Sequence, residues 1–296
     1  MEITFRNLEI FSAVARYKTI GKAAENLYLS QSAVSMALSE FEKKIGVKLF
    51  DRVGRKLILN NYGEKVLFEA NIILKRIEEL ENIFKNSLLS GCLAIGGTQT
   101  IGNYVLPKIV GDFKTKHDDV DLCLVIDNTK NIFEKLINFE IDIAFVEGIV
   151  NSKFINVIPW LEDEIIVFSS PRNPLSKKRK ISLKDLENAK WILREQGSGT
   201  RDIFEREVYK KLKNIDIYLE VSQTEAIKHL VESNIGIGAL SILAIKKEIE
   251  SNRLIKLNIP FKIKREFKIL VHKKKYQTSI LKEFIKHSVE LAQKKI

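Results

Sequence analysis

The chain has few of the residues that build cross-linked or metal-bound proteins. It contains two cysteines and four histidines in 296 residues. Cys92 and Cys123 each lie in an apolar run without C-x-x-C spacing, so we expect buried free thiols and a reducing compartment. The histidines are scattered without ligand spacing, which argues against a structural metal site. We expect no cofactor.

Long hydrophobic runs are also missing. No apolar run reaches the ~18 residues of a membrane-spanning helix, and Glu2, Arg6 and Glu9 interrupt the first residues, which is unlike a secretory signal. We therefore predict a cytoplasmic protein without a membrane partner. The length allows two or three domains, and a hydrophobic fraction of 45% excludes a disordered chain.

Acidic residues are absent from one stretch. The net charge of +11 is spread along the chain, so charge alone does not identify a partner. No Asp or Glu occurs between Glu25 and Glu40, although 29% of all residues are charged. Because carboxylates are repelled by the phosphates of DNA, this stretch is a candidate DNA-facing surface.

The acid-free stretch predicts a helix, a tight turn and a second helix. In the first helix, Ala23 and Ala24 permit close approach of a neighbour, and Ser30 is placed to cap the second. The second helix has one apolar face, made by Val34, Leu38, Phe41 and Ile45. Its opposite face carries Gln31, Ser32, Ser35, Met36 and Ser39. Short polar side chains on an exposed second helix are typical of a helix-turn-helix that reads the major groove.

A basic hairpin follows in "VKLFDRVGRKLILN". Two short strands joined through Gly54 and Arg55 would form a wing, and Arg52, Arg55 and Lys56 suit contacts to phosphate or to the minor groove. A small helical subdomain with a solvated basic hairpin is the alternative. The helix and the wing together favour binding to double-stranded DNA.

The stretch from "LEIFSAVARY" through "LSQSAVSMALSEFEKKIGVKLFDR" resembles the winged helix-turn-helix of LysR-type transcriptional regulators. The resemblance implies a DNA-binding domain over residues 1–60, with a recognition helix at about Gln31–Ile45. It also implies base or backbone contacts near Ser30, Gln31, Ser32, Ser35 and Met36, and phosphate contact from Arg52. Many members have Pro in place of Ser32 and a basic residue in place of Met36, so Met36 would offer apolar contact to a thymine methyl.

One long helix is predicted over residues 61–89. Its apolar residues repeat with alternating spacings of four and three, a heptad pattern that favours pairing with another helix. They are Val66, Ala70, Ile73, Ile77, Leu80 and Phe84. An ordinary buried helix is the alternative. The dimerisation helix that the family resemblance implies would make the protein a homodimer or a homotetramer.

From residue 90 the chain alternates strands and helices, which predicts an α/β domain with parallel strands covered on both faces. Two strand-to-helix turns are rich in Gly, Ser and Thr and could hold an anion at a helix end. The first carries Thr98, Gln99 and Thr100; the second carries Gly197, Ser198, Gly199, Thr200 and Arg201. Each could also be a simple helix cap.

This layout is similar to the LysR effector domain, a two-lobed fold like that of periplasmic binding proteins. The resemblance implies lobes at about 91–161 with 267–296 and at 162–266, with crossovers near 161–163 and 264–267. The segments "TIGNYVLP" and "WILREQGSGTR" look like the YeiE-type, sulfite-associated branch. That branch implies a small anion bound between the two turns, with Glu147 and Thr224 also lining the site. Glu147 would have to pair with Arg201, stay protonated, or accept a hydrogen bond from a protonated ligand such as bisulfite.

The sequence therefore predicts a multidomain α plus α/β regulator, with a winged helix-turn-helix, a dimerisation helix and an effector domain. A solute-binding protein of the same two-lobed fold, or a LysR-type regulator that senses an organic metabolite, are the alternatives. We do not expect an enzyme, because no His stands in a motif that would activate a hydroxyl nucleophile.

Overall fold

A computed structural model describes residues 3–54, 56–83, 91–148, 150 and 152–293. The chain divides into two compact units. The first comprises residues 1–91 with 138–140 and 275–279, and the second comprises the remainder. No described helix is both long and apolar enough to cross a bilayer.

The first unit is a small helical domain with a two-stranded wing and a long helix. Its elements are α1 Phe5–Tyr17, α2 Ile20–Asn26, α3 Gln31–Ile45, β1 Phe50–Val53, β2 Lys56–Leu59 and α4 Asn61–Ile83. The first three helices each begin at a Ser or Thr whose hydroxyl accepts a backbone N–H, an arrangement that fixes helix starts. These caps are Thr4, Thr19 and Ser30.

Aromatic rings form the centre of this unit. The ring of Phe11 lies 5.4 Å from that of Phe41 and 5.5 Å from that of Phe50, measured between centroids. Ala23 and Ala24 are fully buried in the same core, so α2 lies close to its neighbours as their size predicts. The wing is anchored to this core because the Leu57 amide donates to the carbonyl of Lys18, at 2.8 Å.

The predicted heptad face of α4 is only partly covered. Ala70 is buried in the core of the first unit, whereas Ile73 and Leu80 are exposed. Phe84, the last position of the predicted seam, and the remainder of the expected helix to residue 89 lie outside the described residues. An exposed apolar stripe on a helix is a candidate surface for a second helix.

The second unit is built on one mixed sheet. Its strands are β3 Gly91–Thr98, β4 Val120–Asp127, β5 Ile143–Glu147, β6 Ile155–Ser169, β7 Lys190–Arg194, β8 Asp216–Val221, β9 Ile237–Ser241, β10 Ile255–Lys256 and β11 Ile263–His272. Its helices are α5 Gln99–Tyr104, α6 Leu106–Lys116, α7 Thr129–Ile137, α8 Leu183–Glu187, α9 Gly199–Val208, α10 Thr224–Glu232, α11 Ile242–Glu250 and α12 Ser279–Gln293. The strand order is β4-β3-β5-β11-β6-β9-β7-β8, with β10 beside β6.

Two long antiparallel strands divide this sheet into two lobes. β6 and β11 pair along most of their lengths, and Asp163 lies directly opposite Arg265 in their register. On one side, β3 and β5 pair in parallel, and on the other side β7 pairs in parallel with β8 and β9. We call the part with β3–β5, α5–α7 and α12 the first lobe and the part with β7–β10 and α8–α11 the second lobe. Each lobe has its own apolar core.

The expectation of buried cysteines is wrong. Cys92 and Cys123 are both exposed, on β3 and β4 at one end of the sheet. Side chains alternate between the two faces of a strand, and β3 buries Leu93 and Ile95, which lie on the face opposite Cys92. A residue that lies in an apolar run of the sequence is therefore not always buried in the core.

Candidate functional site: a nucleic-acid interface and an inter-lobe cleft

The exposed face of α3 carries the side chains that the sequence singles out. The Ser30 hydroxyl caps the helix, accepting from the Ala33 amide at 3.2 Å, and lies 3.0 Å from the Ser32 hydroxyl. The solvent-exposed residues are Ser30, Gln31, Ser32, Ser35, Met36 and Ser39. Met36 retains 64% of its accessible surface. This row of short polar groups around one thioether is available to base edges.

The wing extends the same surface with positive charge. Arg52 and Lys56 are exposed on β1 and β2, and Gly54 turns the hairpin with a φ of +61°. Arg55 lies outside the described residues. Gln31 and these two cations line one groove of about 800 Å³ together with Lys22 of α2. The groove brings the recognition-helix terminus and the basic wing together on one side of the unit.

Two residues of this unit were not singled out from the sequence. Tyr28, in the turn between α2 and α3, is 96% exposed and has a left-handed φ of +56°. Glu42 is the buried acid of α3, and its carboxylate accepts from the Leu49 amide at 2.8 Å and from Lys48 at 2.7 Å. Glu42 therefore fixes the start of the wing and does not belong to the DNA-facing surface.

In the second unit, a buried polar cluster joins the two lobes. Glu147, at the end of β5, is 1% exposed. Its carboxylate accepts a hydrogen bond from the Thr98 hydroxyl of the first lobe. It also accepts one from the Thr200 hydroxyl of the second lobe, at 3.3 Å. The two predicted turns therefore meet at this carboxylate.

Arg265 supplies the positive charge of this cluster. Its side chain is completely buried and its Nε lies 2.6 Å from Asp163 Oδ2. Its guanidinium also donates to the hydroxyls of Thr200 at 2.8 Å and Thr100 at 3.2 Å, and lies 3.6 Å from Glu147. With both carboxylates ionised, the cluster carries one net negative charge.

Arg201 does not take the position that the sequence suggested. Its guanidinium bonds to Glu205 at 2.7 Å and to the carbonyl of Arg194 at 2.8 Å. Among the described residues, no Glu147–Arg201 pair forms, and Arg265 is the cation beside Glu147. Arg265 lies in the expected crossover near 264–267, and this position is the signal that could have identified it. The sequence does not reveal, however, which side of that strand faces the cleft.

The turn at Gly197–Arg201 packs directly on the first lobe. The Gly199 amide donates to the Thr129 hydroxyl at 2.9 Å, and that hydroxyl donates to the Glu147 carbonyl at 3.2 Å. A Cβ on Gly199 would collide with the same carbonyl, so only glycine fits here. Ser198 is buried in this turn. The backbone donor at Gly199 is thus already used within the protein.

A pocket of about 390 Å³ lies between the two lobes. It is lined by Gln99, Asn103, Tyr104, Ile126, Gln223, Thr224 and Glu225. Thr224 is 4% exposed, and its buried hydroxyl has no hydrogen-bond partner among the described residues. Buried hydroxyls are normally paired, so this one is an exception among the described residues. Gln99 and Thr224 were predicted from the sequence, whereas the amides of Asn103 and Gln223 and the carboxylate of Glu225 were not.

Two family models cover almost the whole chain. Residues 5–64 match "Bacterial regulatory helix-turn-helix protein, lysR family", and residues 86–293 match "LysR substrate binding domain". YeiE of Escherichia coli K12, named as an uncharacterized HTH-type transcriptional regulator, is 35% identical over 96% of this chain and 97% of its own length.

Solved structures agree in architecture. A full-length OxyR variant from Pseudomonas aeruginosa superposes with a TM-score of 0.76 at 19% identity, covering 99% of this chain and 95% of that one. The CcmR regulatory domain of Synechocystis PCC6803, solved in complex with 2-PG, is 26% identical with a TM-score of 0.65. It covers 70% of this chain and 99% of that domain.

Proposed function

Because the chain belongs to the LysR family of bacterial transcriptional regulators, we propose that a small oxyanion such as sulfite controls its promoter binding from the inter-lobe cleft. The observation that carries this proposal is the buried, unpaired hydroxyl of Thr224 at the start of α10. A helix N-terminus attracts negative charge, and the lining amides of Gln99 and Gln223 add hydrogen-bond donors.

The charge of the cleft favours an anion that carries a proton. The charged side chain that lines the pocket is the carboxylate of Glu225, so a fully deprotonated dianion would be repelled. Hydrogen sulfite can donate to this carboxylate while its oxygens accept from the Thr224 hydroxyl and from the lining amides. This is the form of sulfite that the pocket would select.

An organic acid is the second candidate. The related CcmR domain was solved with 2-PG, and the pocket of about 390 Å³ has room for more than a four-atom anion. The amide side chains at its rim suit a ligand with several acceptors. In that case the Thr224 hydroxyl would contact the ligand's acidic group.

For DNA, we propose that α3 enters the major groove and the wing contacts the backbone. Ser35 and Met36 would face base edges, Ser30, Gln31, Ser32 and Ser39 would contact bases or backbone, and Arg52, Arg55 and Lys56 would contact phosphates. The support is that each of these side chains that the structure describes, which leaves out Arg55, is exposed, and that none of them is acidic. The exposed residues of α4 would hold two copies together, so that two half-sites are bound at once.

A thermal-shift and calorimetry series tests the effector. Sulfite, sulfate, phosphate, thiosulfate, 2-PG and amino acids would be compared on the wild type, on Thr224→Val and on Thr115→Val, an exposed control. We expect Thr224→Val to weaken the true ligand about five- to tenfold, the value of one hydrogen bond, and Thr115→Val to change nothing. Equal affinity for all three proteins would show that Thr224 does not contact the ligand.

A pH series then tests the charge argument. Sulfite and phosphate lose a proton near neutral pH, whereas sulfate has none to lose. We expect sulfite affinity to fall as the pH rises through that range and sulfate to bind weakly throughout. Sulfite affinity that rises with pH would show that the dianion is bound.

A further inference from the structure

We propose that Tyr104 is a positioning residue of the effector pocket, through which the first lobe holds the start of α10 in the second lobe. The inference concerns the regulation of the proposed effector site and rests on that proposed function. Tyr104 is the last residue of α5, in the first lobe. Its ring packs against the core cluster of the second lobe, which includes Ile227 and Ala244.

The hydroxyl of Tyr104 continues this contact into a chain of charged groups. It donates to Glu225 Oε1 at 2.8 Å. The same carboxylate oxygen lies 2.7 Å from the Lys228 ammonium. Lys228 is buried and also bonds to Glu248 at 2.9 Å and to the Ala244 carbonyl at 3.2 Å. One side chain of α5 is thereby connected to both α10 and α11.

The ionisation states of the pair suit a hydrogen bond from a neutral phenol to a charged carboxylate. Burial, and then the neighbouring Glu225, raise the pKa of Tyr104 well above its ordinary value, so the phenol remains a donor. Burial alone would raise the pKa of Glu225, but hydrogen bonds from Lys228 and Tyr104 lower it overall. The carboxylate therefore remains a charged acceptor, and such bonds are stronger than neutral ones.

The position of this bond relates it to the ligand. Tyr104 and Glu225 line the same pocket as Thr224, whose unpaired hydroxyl is adjacent to Glu225 in the chain. A ligand in this pocket would lie against the Tyr104–Glu225 bond. Separation of the lobes would break the bond and withdraw the ring from the second lobe. Tyr104 thus makes the geometry around Thr224 depend on lobe contact, which is what coupling between ligand binding and conformation requires.

Hydrogen exchange on the full-length, ligand-free protein tests the positioning role without an effector. Tyr104→Phe keeps the ring and removes only the hydroxyl; Tyr218→Phe, on an exposed tyrosine, is the matched control. We expect the amides of the second turn of α10, beginning with Ile227, whose amide donates to the Gln223 carbonyl, to exchange about tenfold faster in Tyr104→Phe, the effect of losing one hydrogen bond to a charged group. Exchange at the wild-type rate would overturn the proposal.

A double-mutant cycle separates positioning from general destabilisation. Glu225→Ala should accelerate the same amides, and adding Tyr104→Phe should have little further effect, because each variant removes the same bond. Additive effects would mean that the two residues act independently, which would also overturn the proposal.

Calorimetry with sulfite as the probe completes the test. If wild type binds sulfite, Tyr104→Phe should bind it severalfold more weakly, and unchanged affinity would refute the link between Tyr104 and the pocket. If wild type does not bind sulfite, the sulfite assignment fails, and the exchange cycle still decides the role of Tyr104.

Discussion

Loss of Arg265 should destabilise the effector unit more than loss of any exposed cation. The guanidinium is the centre of the buried cluster, with Asp163 at 2.6 Å and the hydroxyls of Thr100 and Thr200 within hydrogen-bond distance. Arg265→Met keeps most of the volume of the side chain but removes the charge. Asp163 and Glu147 would then remain buried without their cation.

The magnitude follows from that burial. Removing one partner of a buried ion pair costs about 3–5 kcal/mol, because the other charge is left uncompensated. In a unit of this size each kcal/mol lowers the midpoint of thermal unfolding by about 2–4 °C, so a decrease of roughly 6–20 °C is expected. Adding Asp163→Asn removes one of the stranded charges and should restore part of the loss.

Urea unfolding followed by tryptophan fluorescence measures this change cleanly. Both tryptophans, Trp160 and Trp191, belong to the second unit, so the signal reports that unit. Arg206→Met removes a half-exposed arginine and should change the free energy of unfolding by about 0.5 kcal/mol or less. A loss below about 1 kcal/mol for Arg265→Met would refute the reasoning, since it would mean that the buried charges do not depend on one another.

Three further predictions concern DNA binding and assembly. The first is measured by fluorescence anisotropy with DNA from the protein's own upstream region, where Arg52→Ala should weaken binding to all sequences and lower the salt slope by about one. Ser35→Ala should instead change the base preference. An unchanged base preference in Ser35→Ala would count against the placement of α3 in the major groove. Tyr28→Asn introduces a residue that tolerates the left-handed backbone. If the ring of Tyr28 packs on the sugar-phosphate backbone of DNA, this variant should bind DNA more weakly with an unchanged salt slope. Full affinity would exclude that contact. Sedimentation of Ile73→Lys with Leu80→Lys should show a smaller assembly than wild type, because lysines would charge the exposed apolar face of α4; an unchanged assembly would place the interface elsewhere.

Local sequence signals predicted the first unit well. The Ser30 cap, the buried face of α3 and the hairpin after it each depend on residues within a few positions of one another, and short-range spacing determines them. The exposed serines followed from the same helical geometry. Of the heptad positions of α4, Ile73 and Leu80 are exposed and Ala70 is buried in the unit's own core, so pairing with another helix stays a prediction.

The buried charged cluster around Arg265 could not be predicted from short-range spacing. Arg265 meets Asp163 across 102 positions of the chain because β6 and β11 pair in one particular register, and a shift of one strand by one residue would put the two side chains on opposite faces. The sequence located the crossover near both residues but provided no means to choose that register. Arg201 is more conspicuous in the sequence, since it ends a glycine-rich turn, yet its own helix provides its partner, Glu205.

The hydroxyls that already have hydrogen-bond partners, and the one that does not, indicate where an effector would gain the most binding free energy. The hydroxyls of Thr98, Thr100 and Thr200 already have protein partners in the ligand-free chain, so a ligand there exchanges one hydrogen bond for another and gains little. The Thr224 hydroxyl has no such partner among the described residues, and pairing it removes a desolvation penalty of about 1–3 kcal/mol. Only the part of that free energy that differs between two arrangements of the lobes would couple the ligand to them. The N-terminus of α10, held against the first lobe by Tyr104, is therefore where a small ligand could most strongly favour one arrangement of the lobes over another.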